Sequence, residues 1–592
     1  MKVSEKVAKL RKLMKEKRID AFIISGSDSH ISEYPAAHWK SRAWISGFTG
    51  SAGAIAVTAD KAGLWTDSRY FLQAEEQLKD SGIVLFKDGL TETPSLKDWL
   101  ASELPEGSCV GIDGNVYAAS EVLLLKTFFE DKNIGLETDF RPFDLIWDNR
   151  PEIPAEKIFI LSEEFSGSSA HEKIATVLKE IQTAGAEATV LASLDTIAWL
   201  FNIRGNDVAY NPVAVCYAVI SHKETVLFIH PEKLTVESAD YLKSQNIILA
   251  DYDKVFDYVK TISAGQKVLV NPAKMNYALY SSIAGKVKDT AVHPVDMLKS
   301  VKNETEINGI KNALKKDGVA LTKFFMWLEK SLESGEKVTE LDLSSRLRDF
   351  RSEQPLYFGE SFETIAGYGE HGAIVHYGAT EESNATIERK GLLLIDSGAQ
   401  YFDGTTDITR TVAAGELSEQ MCIDYTLVLK GHIALAQARF PQGTKGCQLD
   451  ILARKALWDK GLNYLHGTGH GIGHFLNVHE GPQSIRTELH PTPLHTGMIM
   501  SDEPGLYRAG AYGIRIENLI LTVPAEETDF GAFYQFETLT LCPIDTRPIK
   551  KDLLSENEAE WLNKYHSEVY EKLSPFLDKA EKIWLKEKTE AV

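Results

Sequence analysis

Four carboxylates and one histidine of this sequence stand at positions where side chains of these types could do chemistry together. Three of the carboxylates end, follow or interrupt apolar runs, the fourth lies in DGTTDITR (403–410), and the histidine lies in the glycine-rich stretch HGTGHGIG (466–473). A carboxylate at the end of an apolar strand is costly unless it is paired or bound to a metal. The five residues are Asp396, Asp407, His470, Glu503 and Glu517.

Held together, the four carboxylates would repel one another and raise each other's pKa. Two divalent cations would remove this conflict. Four oxygen ligands and one imidazole suit Mn²⁺, Co²⁺ or Zn²⁺, whereas the imidazole disfavours Ca²⁺ and the absence of thiolates argues against soft ions. Taken singly, each acidic residue is better explained as a helix cap or an ion-pair partner than as a ligand, so the joint pattern carries the hypothesis.

The elements around these residues are expected to be strands and tight turns. The run Leu392–Asp396 reads as a buried strand that ends in a carboxylate. The glycines of 466–473 disfavour a helix and permit a close backbone approach. Period-two alternation in GIRIEN (513–518) places Arg515 and Glu517 on one face and two isoleucines on the other.

Length, composition and charge exclude several classes of protein. The chain has 592 residues, 43% hydrophobic and 25% charged, which is typical of globular proteins and excludes disordered, collagen-like and coiled-coil chains. With a net charge of −21, the chain lacks the basic surface that binding to nucleic acid requires. The five cysteines form no CxxC pair, so neither a disulfide framework nor a thiolate zinc site is expected.

The amino terminus and the hydropathy pattern predict a cytoplasmic protein. The first twenty residues are charged throughout and lack the apolar segment of a signal peptide. No apolar run approaches the roughly 18–20 residues that span a membrane, so no membrane association is expected.

A weak internal repeat predicts two similar α/β domains before the region that carries the chemistry. The octamers 43–50 and 198–205 match, and each precedes a β run, a polar turn and a second β run. We expect an α/β (α+β) chain with domains at 1–153, 154–300 and 301–592, although chance similarity of two apolar octamers is the alternative. A long amphipathic helix is expected soon after residue 301, and the tail from Ser555 reads as a solvated closing helix.

In order and spacing, the five residues resemble those of the pita-bread metallopeptidases, and more narrowly of the cytosolic three-domain X-prolyl aminopeptidases, the aminopeptidase P family. Ten strings spread over nearly the whole chain support the resemblance. They are SGFTGSAG (46–53), WTDSRYFLQA (65–74), DTIAWLFNIRG (195–205), GAIVHY (372–377), IDSGAQYFDGTTDITRT (395–411), HGTGHGIG (466–473), NVHEGP (477–482), DEPG (502–505), GIRIEN (513–518) and FETLTLCP (536–543).

The resemblance implies two creatinase-N-like domains followed by a pita-bread catalytic domain. It also implies that Asp407 and Glu517 bridge two Mn²⁺ ions, that Asp396 completes one ion, and that His470 and Glu503 complete the other. A hydroxide between the ions would attack the X-Pro bond, because metal ions lower the pKa of the water they bind. The enzyme would remove the first residue from peptides with proline second.

Further roles follow from the matched motifs. Glu503 would shuttle a proton to the leaving proline nitrogen. His376 and His479 would be catalytic and face the scissile carbonyl and the residues beyond it, and His466 and Arg515 would contact substrate or orient carboxylates. Glu537 is the alternative to Glu517 as the last metal ligand.

Three other residues carry weaker expectations. Arg42 and Arg69 could reach an active site, but surface ion pairing is the favoured role for both. His474 stands where the family would have a small residue, and no functional meaning is attached to it.

Two rival functions stay open at this point. A prolidase would cleave only X-Pro dipeptides, and a metal-free relative would act as a creatinase-like hydrolase or a binding protein. All five ligand types are present, which disfavours the second rival. The resemblance further implies peptide partners, a homodimer and a cytoplasmic location.

Overall fold

The computed structural model describes all 592 residues, which form two compact units. The first unit comprises Met1–Ser162 and Ser168–Val295, and the second comprises Glu163–Gly167 and Asp296–Val592. Helices and strands alternate in both units, which confirms the expected α/β class. No helix combines the length and the apolar character that crossing a membrane would need.

The first unit contains two six-stranded sheets of the same topology. The strands of the first sheet are β1 (Ala21–Ile24), β2 (Ala54–Thr58), β3 (Ala62–Thr66), β4 (Val84–Lys87), β5 (Cys109–Gly111) and β6 (Gly135–Glu137). The strands that follow are β7 (Phe159–Ile160), β8 (Ala188–Leu191), β9 (Ile203–Arg204), β10 (Cys216–Ser221), β11 (Thr225–Ile229), β12 (Ile247–Ala250), β13 (Lys267–Val270) and β14 (Lys286–Asp289).

The two sheets match strand for strand. Their orders are β4-β3-β2-β1-β5-β6 and β12-β11-β10-β8-β13-β14, and β7 pairs separately with β9. In both sheets the first pair is parallel, the next two pairs are antiparallel and the last two are parallel. The internal repeat read from the sequence is therefore confirmed as a repeated fold.

The helices of the first unit cover these sheets, and the repeated octamers begin in two of them. The helices up to residue 300 are α1 (Val3–Lys17), α2 (Ser41–Ser46), α3 (Phe71–Gln77), α4 (Leu96–Glu103), α5 (Ala119–Glu130), α6 (Phe143–Ile146), α7 (Glu163–Ser166), α8 (Ala170–Thr183), α9 (Leu194–Phe201), α10 (Val236–Ser244), α11 (Val255–Val259), α12 (Tyr277–Ser282) and α13 (Pro294–Ser300). The octamers begin in α2 and α9. The three-domain division at 153/154 and 300/301 stays a prediction.

The second unit is built from small sheets wrapped by long helices. Its strands are β15 (Tyr357–Glu360), β16 (Ile365–Tyr368), β17 (Leu392–Ser397), β18 (Ala399–Tyr401), β19 (Gly404–Thr405), β20 (Ile408–Ala413), β21 (Arg439–Pro441), β22 (Gly469–Gly471), β23 (Glu480–Ile485), β24 (Ile499–Asp502), β25 (Gly505–Arg508), β26 (Tyr512–Arg515), β27 (Asn518–Thr528) and β28 (Gly531–Thr538). The largest sheet has the order β21-β28-β27-β24-β22-β23, and β16-β17-β20 form another.

Six long helices complete the second unit. They are α14 (Glu304–Ser334), α15 (Glu340–Ser352), α16 (Glu419–Ala436), α17 (Gly446–Trp458), α18 (Glu556–Leu573) and α19 (Lys579–Lys588). The expected amphipathic helix is α14, which starts at a capping box of Asn303 with Glu306 and ends at Gly335, whose φ is 75°. Its apolar stripe, with Ile310 and Leu314, is buried as the spacing predicts.

The prediction that the tail is only a solvated closing helix is wrong. Helix α18 buries Leu562, Tyr565, His566, Val569 and Leu573. Four of these belong to one apolar cluster that also includes Tyr425 of α16 and Leu541. These residues recur at helical spacing, so the inner face of α18 could have been read from its sequence despite the charged residues on its outer face.

Candidate metal centre

Short strands of the second unit bring the five predicted ligands to one place. Asp396 lies near the end of β17, which is buried along its whole length as its sequence predicts. Asp407 precedes β20 and His470 lies in β22. Glu503 follows β24, and Glu517 separates β26 from β27.

The side-chain donors of these residues converge. One donor atom each of Asp407, His470 and Glu517 lies within 4.8 Å of the other two. His470 Nε2 is 3.5 Å from Asp407 Oδ2 and 3.4 Å from Glu503 Oε1. Ser501 of β24 links His470 to Glu503. Its hydroxyl accepts from the His470 amide and donates to Glu503 Oε1 at 3.2 Å.

Asp396 reaches the same cluster through Arg515. Arg515 Nη2 donates to Asp396 Oδ2 at 2.6 Å, while the buried Asp396 Oδ1 has no hydrogen-bond partner. Asp396 stands opposite Thr409 in the β17–β20 register, and the Thr409 hydroxyl donates to Glu517 Oε2 at 2.8 Å. A buried carboxylate oxygen without a donor has the properties expected of a cation ligand.

The electrostatics of the cluster are those of an excess of negative charge. Burial, and then the charges of Asp396 and Glu503, raise the pKa of Asp407 well above its usual value. Burial and three neighbouring carboxylates do the same to the pKa of Glu517. Burial and Asp396 raise the pKa of Glu503 to about 7, although Arg515 and His479 oppose this.

This donor set fits a pair of divalent cations. Arg515 compensates Asp396, and no lysine ion-pairs with the other three carboxylates. Four oxygen ligands and one imidazole match the preferences of Mn²⁺, Co²⁺ and Zn²⁺.

The two predicted catalytic histidines border the cluster. The rings of His479 and His470 lie 4.3 Å apart, edge to face. His376 follows Val375, whose carbonyl accepts from Arg515 Nη2 at 3.4 Å. The chain just before His376 packs closely against strand β26. A Cβ on Gly513 of this strand would lie 1.7 Å from the carbonyl oxygen of Gly372. Position 513 therefore requires glycine.

His466 is hydrogen-bonded to the residues around Arg515, and its expected contact with substrate stays a prediction. Its Nε2 lies 2.9 Å from the hydroxyl of Tyr507, which accepts from Arg515 Nη1 at 2.7 Å. Because the Gly467 carbonyl can only accept, His466 Nδ1 donates to it at 2.8 Å, and Nε2 of the neutral ring accepts from the Tyr507 hydroxyl. Arg515 thus joins Asp396 to Tyr507, as its predicted orienting role requires.

Three other predicted residues lie elsewhere. Glu537, the rival ligand, is partly exposed and paired with Lys311 at 2.7 Å. Arg69 forms the expected ion pair, at 2.7 Å from Asp67. The surface role expected for Arg42 is wrong, because Arg42 is buried and donates to the carbonyls of Gly50 and Gly53.

Sequence reasoning missed several polar residues beside the ligands. Thr409 could have been found, because alternation from Asp407 places it on the same face of β20. Tyr507, Arg410 and Tyr565 carried no such local signal. They reach the site only through the tertiary fold.

Comparison with family models covers most of the chain. Residues 6–143 and 149–306 each match the Creatinase/Prolidase N-terminal domain. Residues 308–524 match metallopeptidase family M24, and residues 532–592 match the C-terminal region of peptidase M24.

Relatives of known name are similar over nearly their whole length. "Aminopeptidase P2" of Arabidopsis thaliana is 42% identical over 615 residues, covering 97% of this chain and 86% of the relative. "Xaa-Pro aminopeptidase 1" of Dictyostelium discoideum is 39% identical, with coverage of 98% and 94%.

Two solved structures are informative. The X-prolyl aminopeptidase of Caenorhabditis elegans, described as a cytosolic enzyme with a di-nuclear active site, matches all of both chains at a TM-score of 0.96 and 36% identity. The Xaa-Pro dipeptidase of Bacillus anthracis matches 64% of this chain and 99% of its own, at a TM-score of 0.51 and 25% identity.

Proposed function

This chain belongs to the Xaa-Pro aminopeptidases of metallopeptidase family M24, and we propose that it is a two-metal aminopeptidase that removes the first residue from peptides with proline second. Its fold is two creatinase-type domains followed by a pita-bread catalytic domain. The observation that carries the proposal is the convergence of Asp407, His470 and Glu517, with one arginine serving a cluster of four carboxylates.

The proposed ligand assignment is the one that the family resemblance implies, and the positions of the donors support it. Asp407 and Glu517 would serve as ligands to both ions, and His470 with Glu503 would add ligands to one of them. The 3.4 Å approach of His470 to Glu503 supports this half of the assignment. Asp396 would add a ligand to the other ion through the oxygen that has no hydrogen-bond partner.

We further propose that the ions are Mn²⁺, with Co²⁺ or Zn²⁺ as substitutes that the same donors accept. Bound there, two such ions act as Lewis acids and lower the pKa of water towards about 7. The neighbouring side chains then have to bind the peptide, orient the scissile bond and move the protons.

Proton transfer is the task proposed for Glu503. The nitrogen of an X-Pro bond is a tertiary amide, so it must be protonated to leave. Glu503 takes a proton from the attacking water and gives it to that nitrogen. The hydrogen bond from Ser501 holds Glu503 Oε1 in place for both transfers.

Binding of the developing oxyanion is the task proposed for the histidines. His479 stands edge to face with His470, and His376 follows the carbonyl that contacts Arg515. A donor aimed at an oxyanion is worth about 2.7–4 kcal/mol. Arg515, Tyr507 and His466 form a hydrogen-bonded chain that keeps Asp396 in position, and His466 contacts substrate from the end of that chain.

A cytoplasmic location and a homodimeric state are proposed as well. The cytosolic description of the Caenorhabditis elegans enzyme supports a cytoplasmic location for this chain. A homodimer is proposed from the family resemblance, and sedimentation analysis would test it.

Product analysis tests the proposed function. With Mn²⁺ present, the protein should release arginine from Arg-Pro-Pro and should prefer this tripeptide to the dipeptide Ala-Pro. Cleavage of peptides lacking proline at the second position serves as the negative control. Preference for Ala-Pro would make the protein a prolidase and contradict the proposal.

A further inference from the structure

Arg410 is a buried guanidinium bonded only to neutral oxygens around the proposed metal centre. It is 1% exposed, and its acceptors are carbonyl, amide and hydroxyl oxygens. Its Nη1 donates to the Glu517 carbonyl at 2.6 Å and to the Thr409 carbonyl at 3.0 Å. Burying a charge without an ionic partner is costly, so this arrangement calls for a function.

The side chain next to Arg410 holds the Glu517 carboxylate itself. Thr409 Oγ1 donates to Glu517 Oε2 at 2.8 Å, and the Glu517 amide donates to the Thr409 carbonyl at 3.1 Å. Arg410 and Thr409 together therefore fix both the backbone and the carboxylate of Glu517.

Tyr565 of helix α18 fixes Arg410 from the opposite side. Arg410 Nη2 donates to the Tyr565 hydroxyl at 2.9 Å, and this hydroxyl donates to the Cys542 carbonyl at 2.8 Å. Trp561, one turn earlier in α18, stacks on the Tyr565 ring at 5.4 Å with an angle of 6° between the ring planes. The tyrosine is thus held by its ring as well as by its hydroxyl.

Arg410 also reaches the backbone next to Glu503. Its Nη2 donates to Asn518 Oδ1 at 2.8 Å, and Asn518 Nδ2 donates to His432 Nε2 at 3.0 Å. His432 Nδ1 donates to the backbone carbonyl of Asp502, the residue before Glu503, at 3.1 Å. Asn518 and Asp502 face each other across β27 and β24.

From these contacts we infer that Tyr565 is a positioning residue that sets Glu517 through Arg410, so that helix α18 tunes the affinity of the site for divalent cations. The inference rests on the proposed function, because it takes Glu517 as a metal ligand. Outer partners of metal ligands typically change metal affinity by about 10–100-fold when they are removed.

The test compares Tyr565→Phe with a control on the same helix. Val569→Ala removes a fully buried side chain one turn later and leaves the Arg410 network intact. Mn²⁺ affinity is measured by competition with a chelator, the visible spectrum is recorded with Co²⁺ bound, and stability is measured by urea unfolding.

We expect Tyr565→Phe to weaken Mn²⁺ binding about tenfold and to shift the Co²⁺ spectrum. Val569→Ala should lower the urea midpoint without changing either metal readout. Wild-type affinity and spectrum in Tyr565→Phe would overturn the inference, and so would an equal loss of affinity in Val569→Ala.

A double-mutant cycle tests the route through Arg410. In an Arg410→Lys background, Tyr565→Phe should add little further loss, since interacting residues are not additive. Additive losses would mean that Tyr565 acts by another route and would contradict the inference. Wild-type protein that binds two ions but cleaves no X-Pro peptide would refute only the proposed function, whereas wild-type protein that binds no ion would overturn both.

Discussion

Arg515 and Asp396 form a buried ion pair, with Arg515 Nη2 2.6 Å from Asp396 Oδ2. The pair uses only one oxygen of Asp396 and leaves the other without a donor. Asp407, Glu503 and Glu517 gather beside it, and burial together with the charges of neighbouring carboxylates raises the pKa of each. The guanidinium therefore orients one ligand without neutralising the centre, which leaves the remaining negative charge for cations.

Removing metal should make stability depend on pH in a defined direction. In the metal-free protein the pKa of Glu503 is raised to about 7, whereas in the unfolded chain it is near 4.3. Between these two pH values the folded state binds a proton that the unfolded state has lost. Stability should fall as the pH rises through this window. Thermal unfolding with and without Mn²⁺ should show a larger stabilisation by metal at pH 8 than at pH 5. Equal stabilisation at both would contradict this interpretation.

Asp407→Asn should abolish turnover while preserving the fold. The amide keeps the size of the side chain but loses the charge that both ions are proposed to share. We expect activity to fall by more than about 100-fold, beyond the range for an outer partner. Peptide cleavage, metal content and circular dichroism measure the outcome, with the exposed Asp459→Asn as control. Near-normal turnover would remove Asp407 from the bridging position.

His479→Ala should separate catalysis from metal binding. If His479 donates to the developing oxyanion, its loss costs about 2.7–4 kcal/mol, or about 100- to 1,000-fold in kcat. Metal content should stay at the wild-type level, because His470 and not His479 is the proposed ligand. Replacing the exposed His222 by alanine provides a matched control. Loss of metal from His479→Ala would place this residue among the ligands.

His566 should give stability a pH dependence of the opposite sign. Burial lowers its pKa to about 4, and its Nε2 accepts from the Ile544 amide at 3.1 Å. Between about pH 4 and 6.5 the unfolded state binds the proton and the folded state does not, so this residue makes stability rise with pH. Urea unfolding of wild type and His566→Gln should diverge across that window, by about 3 kcal/mol at most. Parallel curves would show that His566 does not contribute in this way.

The convergence of the proposed ligands could be predicted from the sequence because several of them carry a local signal. Asp396 ends an apolar strand, His470 lies between glycines, and Glu517 alternates with isoleucines. The repeat was readable for the same reason, since each octamer is followed by a hairpin of similar pattern. In both cases the residues on either side indicate the local secondary structure and its burial.

The supports of the site could not be predicted in this way. Tyr565 lies 155 residues from Arg410, and Tyr507 joins Arg515 to His466 only in the folded chain. The ring of Tyr565 reads as part of an ordinary amphipathic helix. Arg42 was misjudged because backbone carbonyls, which leave no trace in a sequence, are its partners.

Anomalous diffraction from crystals grown with Mn²⁺ tests the central claim most directly. The account predicts two manganese peaks about 3.5–4 Å apart, both within reach of Asp407 and Glu517, with Asp396 beside one and His470 beside the other. A map with no peak at these side chains, or with manganese bound only elsewhere, would contradict it.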